Sequence, residues 1–448
     1  MNARISPEGT SYNFYNTLPP DYFNDKNSVK YRFTTFKDVA LSGTPRPIPY
    51  EDSYQDEILG YYGNYKDYTL YVHFPWCLEH CSYCHYYHGP MLKSQEIERL
   101  MAAERQHFKM LDEVVDLSAK NVRSIYFGGG TPTVIPADLL AEAFEFYSGR
   151  SGKNEECEFC VETSINTLRP PKIALLKKYV NRLSVGVQSF NDKILKILER
   201  QHTGAQAVEM LQEIIPHFDN VNIDLVYGLC DQAIEDWLET VQIAIDIKVP
   251  SINIYRLDLR EKPNIIRTYR ESPEKFPDEI LPWCMYNEAK KILEKAGYRE
   301  NLIGWFLLPQ VKDTIVYRER WEKQTPCIAL GPGLHNFAAD HFYETIQEHH
   351  NYCTAVENGT FPIKHIARMT PDRQLVGYVL SQLKSNSPVY KSVIEQRFGS
   401  EHLDSFMDRI SNYLQWNVLT QSGDKIEIAK EYHYILEWVL QELISTIP

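Results

Sequence analysis

Residues 70–89 read LYVHFPWCLEHCSYCHYYHG. Residues 69–76 form an apolar run rich in β-branched and aromatic side chains, the pattern of a β-strand. Directly behind it stand Cys77, Cys81 and Cys84, spaced C-x3-C-x2-C. Three thiols in one short loop suit a metal centre. Either they hold a zinc ion with a fourth ligand, or they hold a four-iron cluster with one iron left open. His80, His85 and His88 stand near enough to complete a Cys3His zinc site. Spacing alone leaves both readings open, and the chemistry of the two differs. A zinc ion closed by four ligands offers nothing further, whereas a cubane with three protein ligands has a coordination position at which a cosubstrate can bind.

Outward from this loop the chain alternates. Residues 95–119 carry helical periodicity, with Ile97, Leu100, Met101, Phe108, Met110 and Leu111 among the apolar positions. Residues 122–127 are a short apolar run ending in Gly128, Gly129 and Gly130. Helical patterns over 136–147, 171–180 and 234–247, and from Asp192 and Gly204, alternate with strand patterns over 158–165, 183–187, 221–227 and 252–257. With the strand before the cysteines this makes six strands, and such alternation implies parallel strands joined by helical crossovers. Both an open doubly wound sheet and a barrel satisfy the pattern, and in both, ligands gather at the carboxyl ends of the strands. The unusual residues fall at those ends. The cysteines follow strand one, the glycines follow strand two, and Glu162, Gln188 and Asp224 lie in or at the ends of strands three, four and five. Cys157 and Cys160 form a further C-x2-C, but on a strand they point to opposite faces and read as structural.

The flanking regions bound the domain organisation. Residues 1–68 are an irregular arm rich in Tyr, Pro, Asn and Asp, packed over the surface or acting as a lid. The α/β unit runs over 69–300, and a connecting region over 301–366 contains the glycine-bearing turn IALGPGLHNF at 328–337. A compact C-terminal unit, 367–448, has helical patterns over 372–384, 388–398 and 401–414, a hairpin from 417–419 to 425–429, and a closing helix over 431–445. Three helices and a hairpin resemble a winged helix. The helix before the hairpin, EHLDSFMDRISNYL, is acidic, which argues against reading DNA. Of the 448 residues, 43% are hydrophobic and 24% charged, as in an ordinary globular chain. The net charge of −13 disfavours a nucleic-acid partner. Nine scattered cysteines suit a reducing compartment. The N-terminal residues do not read as a leader, and no apolar run approaches the roughly 18–20 residues that span a bilayer. A soluble cytoplasmic protein without a membrane partner is expected.

The sequence also carries a resemblance. Cys77-x3-Cys81-Ser82-Tyr83-Cys84 resembles the signature of radical S-adenosylmethionine (SAM) proteins. The blocks YVHFPWC, YFGGGTPT, VETSINT, RLSVGVQSFND and NIDLVYGL, in this order, are similar to the oxygen-independent coproporphyrinogen oxidase group, the HemN-like radical SAM proteins. The likeness is strong from about Tyr71 to Leu259 and weaker in the C-terminal unit. It implies a partial (β/α)6 TIM-type barrel with a small helical appendage, a [4Fe-4S] cluster on Cys77, Cys81 and Cys84, and reductive cleavage of SAM to a 5′-deoxyadenosyl radical. It further implies that Tyr71 and Tyr83 contact SAM, and that Gly129, Gly130 and Thr131 present backbone donors to its methionyl end. Glu162 would pair with a cationic amino group. Gln188, Arg200 and Asp224 would hold ribose hydroxyls or a carboxylate. Taken singly, Glu162 and Asp224 also read as structural carboxylates and Arg200 as a helix-end cation. The implied partners are a small-molecule substrate and an electron donor of flavodoxin or ferredoxin type.

The chain departs from two branches of that group. The oxidases place a cysteine two residues beyond the third, where this chain has Tyr86. The heme chaperones carry a His-Asn…Tyr-Trp block in the second half, where this chain has Tyr317 and Trp321, with His335-Asn336 elsewhere. The expectation is therefore methyl or methylene transfer to a small organic substrate, as in the methyltransferase or cyclopropane-forming members. These use two SAM molecules, the second near the 330–337 loop and Phe337. The alternative is a heme chaperone or a porphyrin- or heme-modifying protein.

Overall fold

The computed structural model describes residues 48–49, 62–84, 93–259, 264–278, 280–312, 315–338 and 340–445. The arm before Tyr62, Ile48–Pro49 excepted, and His85, Tyr86 and His88 lie outside the described residues, and with them the lid reading and the fourth-cysteine position.

Six strands follow one another along the chain: β1 (Asp67–Phe74), β2 (Asn121–Gly129), β3 (Lys153–Ser164), β4 (Arg182–Gln188), β5 (Asn220–Tyr227) and β6 (Ser251–Arg256). Each is parallel to the next. The crossovers are α1 (Ser94–Val115), α2 (Ala137–Arg150), α3 (Pro170–Tyr179), α4 (Asp192–Ile197) with α5 (Gly204–Ile214), and α6 (Ile234–Asp246). Spatial order equals chain order, with no reversal from which a doubly wound sheet could grow. This decides between the two architectures in favour of the barrel type. The strands bury one face against the helices, where Leu70, Val72, Ile125, Phe127, Phe159, Val161, Leu183 and Ile223 are inaccessible to solvent. The other face is lined with polar and aromatic side chains.

The barrel does not close. Beyond β6 lie β7 (Arg299–Leu302) and β8 (Trp305–Leu307), in the order β6-β8-β7 and antiparallel. On the other side β9 (Cys327–Leu330) runs parallel to β1, so seven strands share one direction. From β9 the sheet continues antiparallel through β10 (His335–Ala338), β11 (His341–Thr345) and β12 (Ile363–Arg368) to Ile48–Pro49. The turn expected over 328–337 is thus the bend between β9 and β10, with Gly331 at φ +125° and Gly333 at φ +69°. Tyr68, assigned to the arm from sequence, lies inside β1.

After α7 (Ile265–Glu271), α8 (Ile280–Lys295) and α9 (His349–Glu357), the C-terminal unit contains α10 (Pro371–Lys384), α11 (Lys391–Phe398), α12 (Ser400–Gln415) and α13 (Leu436–Ser445). Its hairpin is β14 (Leu419–Ser422) with β15 (Lys425–Ile428), joined by β13 (Val389–Tyr390) on the far side of β15. The helix expected from Pro388 begins instead at Lys391. The β-branched Val389 and its aromatic neighbour are taken by the sheet, pairing with Ile426 and Lys425. Among the described residues no helix is long and apolar enough to cross a membrane.

Candidate active site

The cysteine loop starts where β1 ends, and three local devices fix it. Gly130 N–H donates to the Phe74 carbonyl at 2.6 Å, and Thr131 N–H donates to the Trp76 carbonyl at 2.7 Å. This draws the end of β2 against the loop so closely that a Cβ on Gly130 would lie 2.3 Å from the Trp76 oxygen. On the other side Ser82 is tied to the end of α4. Its N–H donates to Leu198 O at 3.3 Å and its hydroxyl to Ile197 O at 2.9 Å. Ser82 O in turn accepts from Ile265 N, which opens α7, at 2.8 Å.

Two donors reach the cysteine sulfurs. Thr131 Oγ1 lies 3.5 Å from Cys77 Sγ, and Arg200 Nη1 lies 3.2 Å from Cys81 Sγ. Burial pushes the Cys77 thiol up, and a bound metal would favour its thiolate. Arg200 is aimed by its backbone. Glu199 takes φ +58°, α4 stops, and Arg200 N–H caps the Leu195 carbonyl at 2.9 Å. The guanidinium then bridges Cys81, Gly186 O (2.7 Å) and Ser164 Oγ (3.4 Å). Among the described residues no three His, Cys, Asp or Glu side chains are close enough to share one metal ion. Thiolates on a cubane each serve a different iron and need not be. Three thiols on one rim, with hydrogen-bond donors already directed at two of them, fit the second shell of an iron–sulfur cluster.

The strands behind the loop supply a continuous polar network. Glu162 accepts from Tyr126 OH at 2.7 Å and from Gly129 N–H at 2.8 Å. Burial raises its pKa, and those two bonds oppose the shift. Asp224 accepts from Asn253 (2.8 Å), Asn222 (3.2 Å) and Ser184 (3.3 Å), and burial again raises its pKa. Gln188 sits at φ +72°, uncommon for a side chain of its kind, and accepts from Tyr255 OH at 2.7 Å. Tyr255 is in turn hydrogen-bonded to Tyr83. Tyr83 packs against Ile194, Leu198, Val226 and Leu257 beside the cysteines.

Cys77, Cys81, Cys84, Tyr71, Tyr83, Gly129, Gly130, Thr131, Glu162, Gln188, Arg200 and Asp224 therefore meet at one end of the parallel strands. One detail is corrected: the amides of Gly129, Gly130 and Thr131 are spent on Glu162, Phe74 and Trp76. What these residues offer a ligand is close approach of the backbone, not three free donors. Phe337 stands apart. It pairs with Cys327, which is level with Thr69, five residues and roughly 16 Å along the strand from Phe74. Its ring is buried under the Arg320 guanidinium, 5.0 Å away. Cys157 packs in the helix-covered core and Cys160 on the inner face beside Tyr126, as alternation requires.

Of the inner wall, the sequence points to Tyr71 and, as part of an aromatic-lined pocket, to Tyr317, but not to Tyr126 or Trp305. Tyr71 and Tyr126, in register on neighbouring strands, stack with centroids 5.7 Å apart. Tyr317, from the helical stretch at 315–322, packs on them and meets Trp305 edge-on at 4.4 Å. Glu158 anchors that stretch by accepting from the amides of Ile315 (2.8 Å) and Val316 (3.2 Å). Beneath Trp305 lies Arg182, nearly inaccessible, with its Nη1 on Cys160 Sγ at 3.0 Å.

Known proteins share parts of this sequence and its fold. The Radical SAM superfamily matches residues 71–244. A heme chaperone HemW from Buchnera aphidicola subsp. Acyrthosiphon pisum is 31% identical over 242 residues, 53% of this chain and 61% of that one. The matched segment thus spans about three fifths of that relative's length. Heme chaperone HemW from Lactococcus lactis is 25% identical over 367 residues, 81% of this chain and 93% of that one. The structure described as coproporphyrinogen III oxidase (HemN) from Escherichia coli, a radical SAM enzyme, superposes with a TM-score of 0.78 at 18% identity, covering 93% of this chain and all of that one. The family match covers residues 71–244, and the superposed HemN structure shares the fold of the chain. Members of that superfamily bind a [4Fe-4S] cluster and SAM, and Cys77, Cys81 and Cys84 lie within the matched segment.

Proposed function

We propose that the chain is a radical SAM protein whose second ligand is a tetrapyrrole, heme or a porphyrin, bound on the inner face of the partial barrel. The carrying observation is the aromatic wall Tyr71–Tyr126–Tyr317–Trp305, which continues from the network behind the cysteine loop. Flat rings in a run, with Tyr71, Tyr317 and Trp305 partly accessible, suit a flat, largely apolar ligand. The names of the similar proteins concern heme or a porphyrin as well. The wall supports the heme-carrier or heme-modifying reading over methyl transfer. The second SAM expected for methyl transfer was tied to Phe337, which lies toward the other end of the strands from the cysteines.

Cys77, Cys81 and Cys84 would hold the cluster, and SAM bound beside it would supply one-electron, reductive radical chemistry. Around it Arg200, Glu162, Gln188 and Asp224 orient the cosubstrate. The Tyr83–Tyr255 pair and the apolar side chains behind it keep water from that end of the barrel. A flavodoxin- or ferredoxin-type donor would reach the cluster from the loop's outer side, where Leu78 is exposed.

Anaerobic titration with heme tests the proposal. The expected result is one heme per chain, retained through gel filtration and weakened by Trp305→Ala without loss of iron. Formation of 5′-deoxyadenosine together with S-adenosylhomocysteine on a small non-tetrapyrrole substrate, with no heme retained, would overturn it in favour of methyl transfer.

A further inference from the structure

The cysteine loop contains a buried acid between two of its cysteines. Glu79 and Arg200 have side chains only 7% and 8% exposed. One carboxylate oxygen of Glu79 accepts from the Asn166 amide in the turn after β3. The other, Oε2, faces Arg200 Nε at 4.0 Å. Neither Oε2 nor Nε has a hydrogen-bond partner among the described residues. A buried carboxylate with one oxygen directed at a buried guanidinium edge is an ion pair, since either charge alone in that place costs several kcal/mol. The same guanidinium touches Cys81 Sγ at 3.2 Å through Nη1. A cation donating to a cysteine sulfur favours the reduced, more negative cluster, and an anion behind that cation offsets it.

We propose that Glu79 is a positioning residue acting through Arg200. It holds the guanidinium edge-on so that Nη1 faces Cys81, and its charge cancels that of Arg200 at the cluster, keeping the reduction potential low. Neither the cluster ligands nor the tetrapyrrole reading assigns a role to this side chain. The assignment presupposes the cluster, which iron and sulfide analysis of the wild-type protein tests separately.

The experiment is an anaerobic redox titration of the reconstituted full-length protein without SAM, followed by electron paramagnetic resonance. Glu79→Gln is nearly isosteric and leaves Arg200 uncompensated. The expected result is wild-type iron and sulfide content with the midpoint potential shifted upward. An unchanged or lowered midpoint at full cluster content would overturn the proposal. Should Glu79→Gln fail to hold a full cluster, Glu79→Asp, which keeps the charge, decides. Wild-type cluster content and potential in that variant support the assignment, and loss of the cluster there too confines Glu79 to folding of the loop and overturns it.

Discussion

At the scale of single residues the site depends on close approach and on shared acceptors. Gly130 cannot carry a side chain, because its Cβ would press on the Trp76 carbonyl at 2.3 Å. Gly130→Ala is therefore expected to abolish cluster incorporation, read as loss of the brown colour and of iron after reconstitution. Glu162 joins Tyr126 and Gly129 in one cradle. Glu162→Gln keeps that shape and removes the charge. Equilibrium dialysis against SAM should show affinity lowered about tenfold, or about 1.4 kcal/mol, at unchanged iron content. Unaltered SAM affinity would make Glu162 a structural carboxylate. The cysteines, Glu162, Gln188 and Asp224 stood out in the sequence because they lie in or directly after strands, whereas Arg200, behind a short helix, was named only through the resemblance. Tyr126, Tyr255 and Trp305 did not stand out. Whether an aromatic on a strand faces the core or the inner wall depends on its register with the neighbouring strand, and no local pattern encodes that. Glu79 was invisible for a related reason, since an acid in a polar loop reads as solvated until the chain is folded around it.

Among the elements, one carboxylate gathers several donors at the junction between the α/β unit and the C-terminal unit, beside Arg256 Nη1, which donates to Tyr434 OH at 2.7 Å. Glu300, on β7, accepts from Lys290 on α8 at 2.7 Å, from His433 at 2.8 Å, from Gly304 N–H at 2.9 Å and from Tyr286 OH. Burial works against its charge, but His433, Lys290 and the Gly304 amide together bring its pKa down to about 2. A carboxyl depressed on folding stabilises the native state above its unfolded pKa, near 4.3, and loses that contribution as pH falls through the folded value. The stability supplied by Glu300 is thus expected to fade between about pH 4 and pH 2. Glu300→Ala leaves Lys290 buried without its partner and should cost about 3–5 kcal/mol in urea unfolding at pH 7. A loss below 1 kcal/mol would show that the junction does not depend on the pair. The helices and parallel strands were read to within a few residues, because long amphipathic patterns and short apolar runs are strong signals. The boundary at Pro388 was misread. A proline suits the first turn of a helix, yet β15 offered Val389 and Tyr390 a strand edge, and tertiary pairing overrode local preference.

Across the whole molecule, six sequential parallel strands fixed the barrel type, and the sequence showed all six. It did not show how the barrel ends. The strands from β9 to β12 are four to six residues long and lack clean alternation, so residues 327–368 read as a turn and mixed structure. Physically they continue the sheet past the β1 edge, which would otherwise expose unpaired backbone. They also complete the core around Tyr62, whose hydroxyl reaches the Cys327 carbonyl at 3.4 Å. The helical stretch carrying Tyr317 sits on the inner face, so the sheet has both faces covered near the site and one end open to the cysteine loop. Such a shape would serve the proposed pair of ligands, a cosubstrate at the cluster and a tetrapyrrole against the wall. The most direct test is the anaerobic reaction of the reconstituted, reduced protein with SAM, followed for 5′-deoxyadenosine by chromatography. The expected result is about four irons and four sulfides per chain, 5′-deoxyadenosine formed from SAM, and loss of both in a Cys77→Ala, Cys81→Ala, Cys84→Ala protein. A colourless protein containing zinc, or a full cluster that neither binds SAM nor yields 5′-deoxyadenosine under reduction, would contradict it.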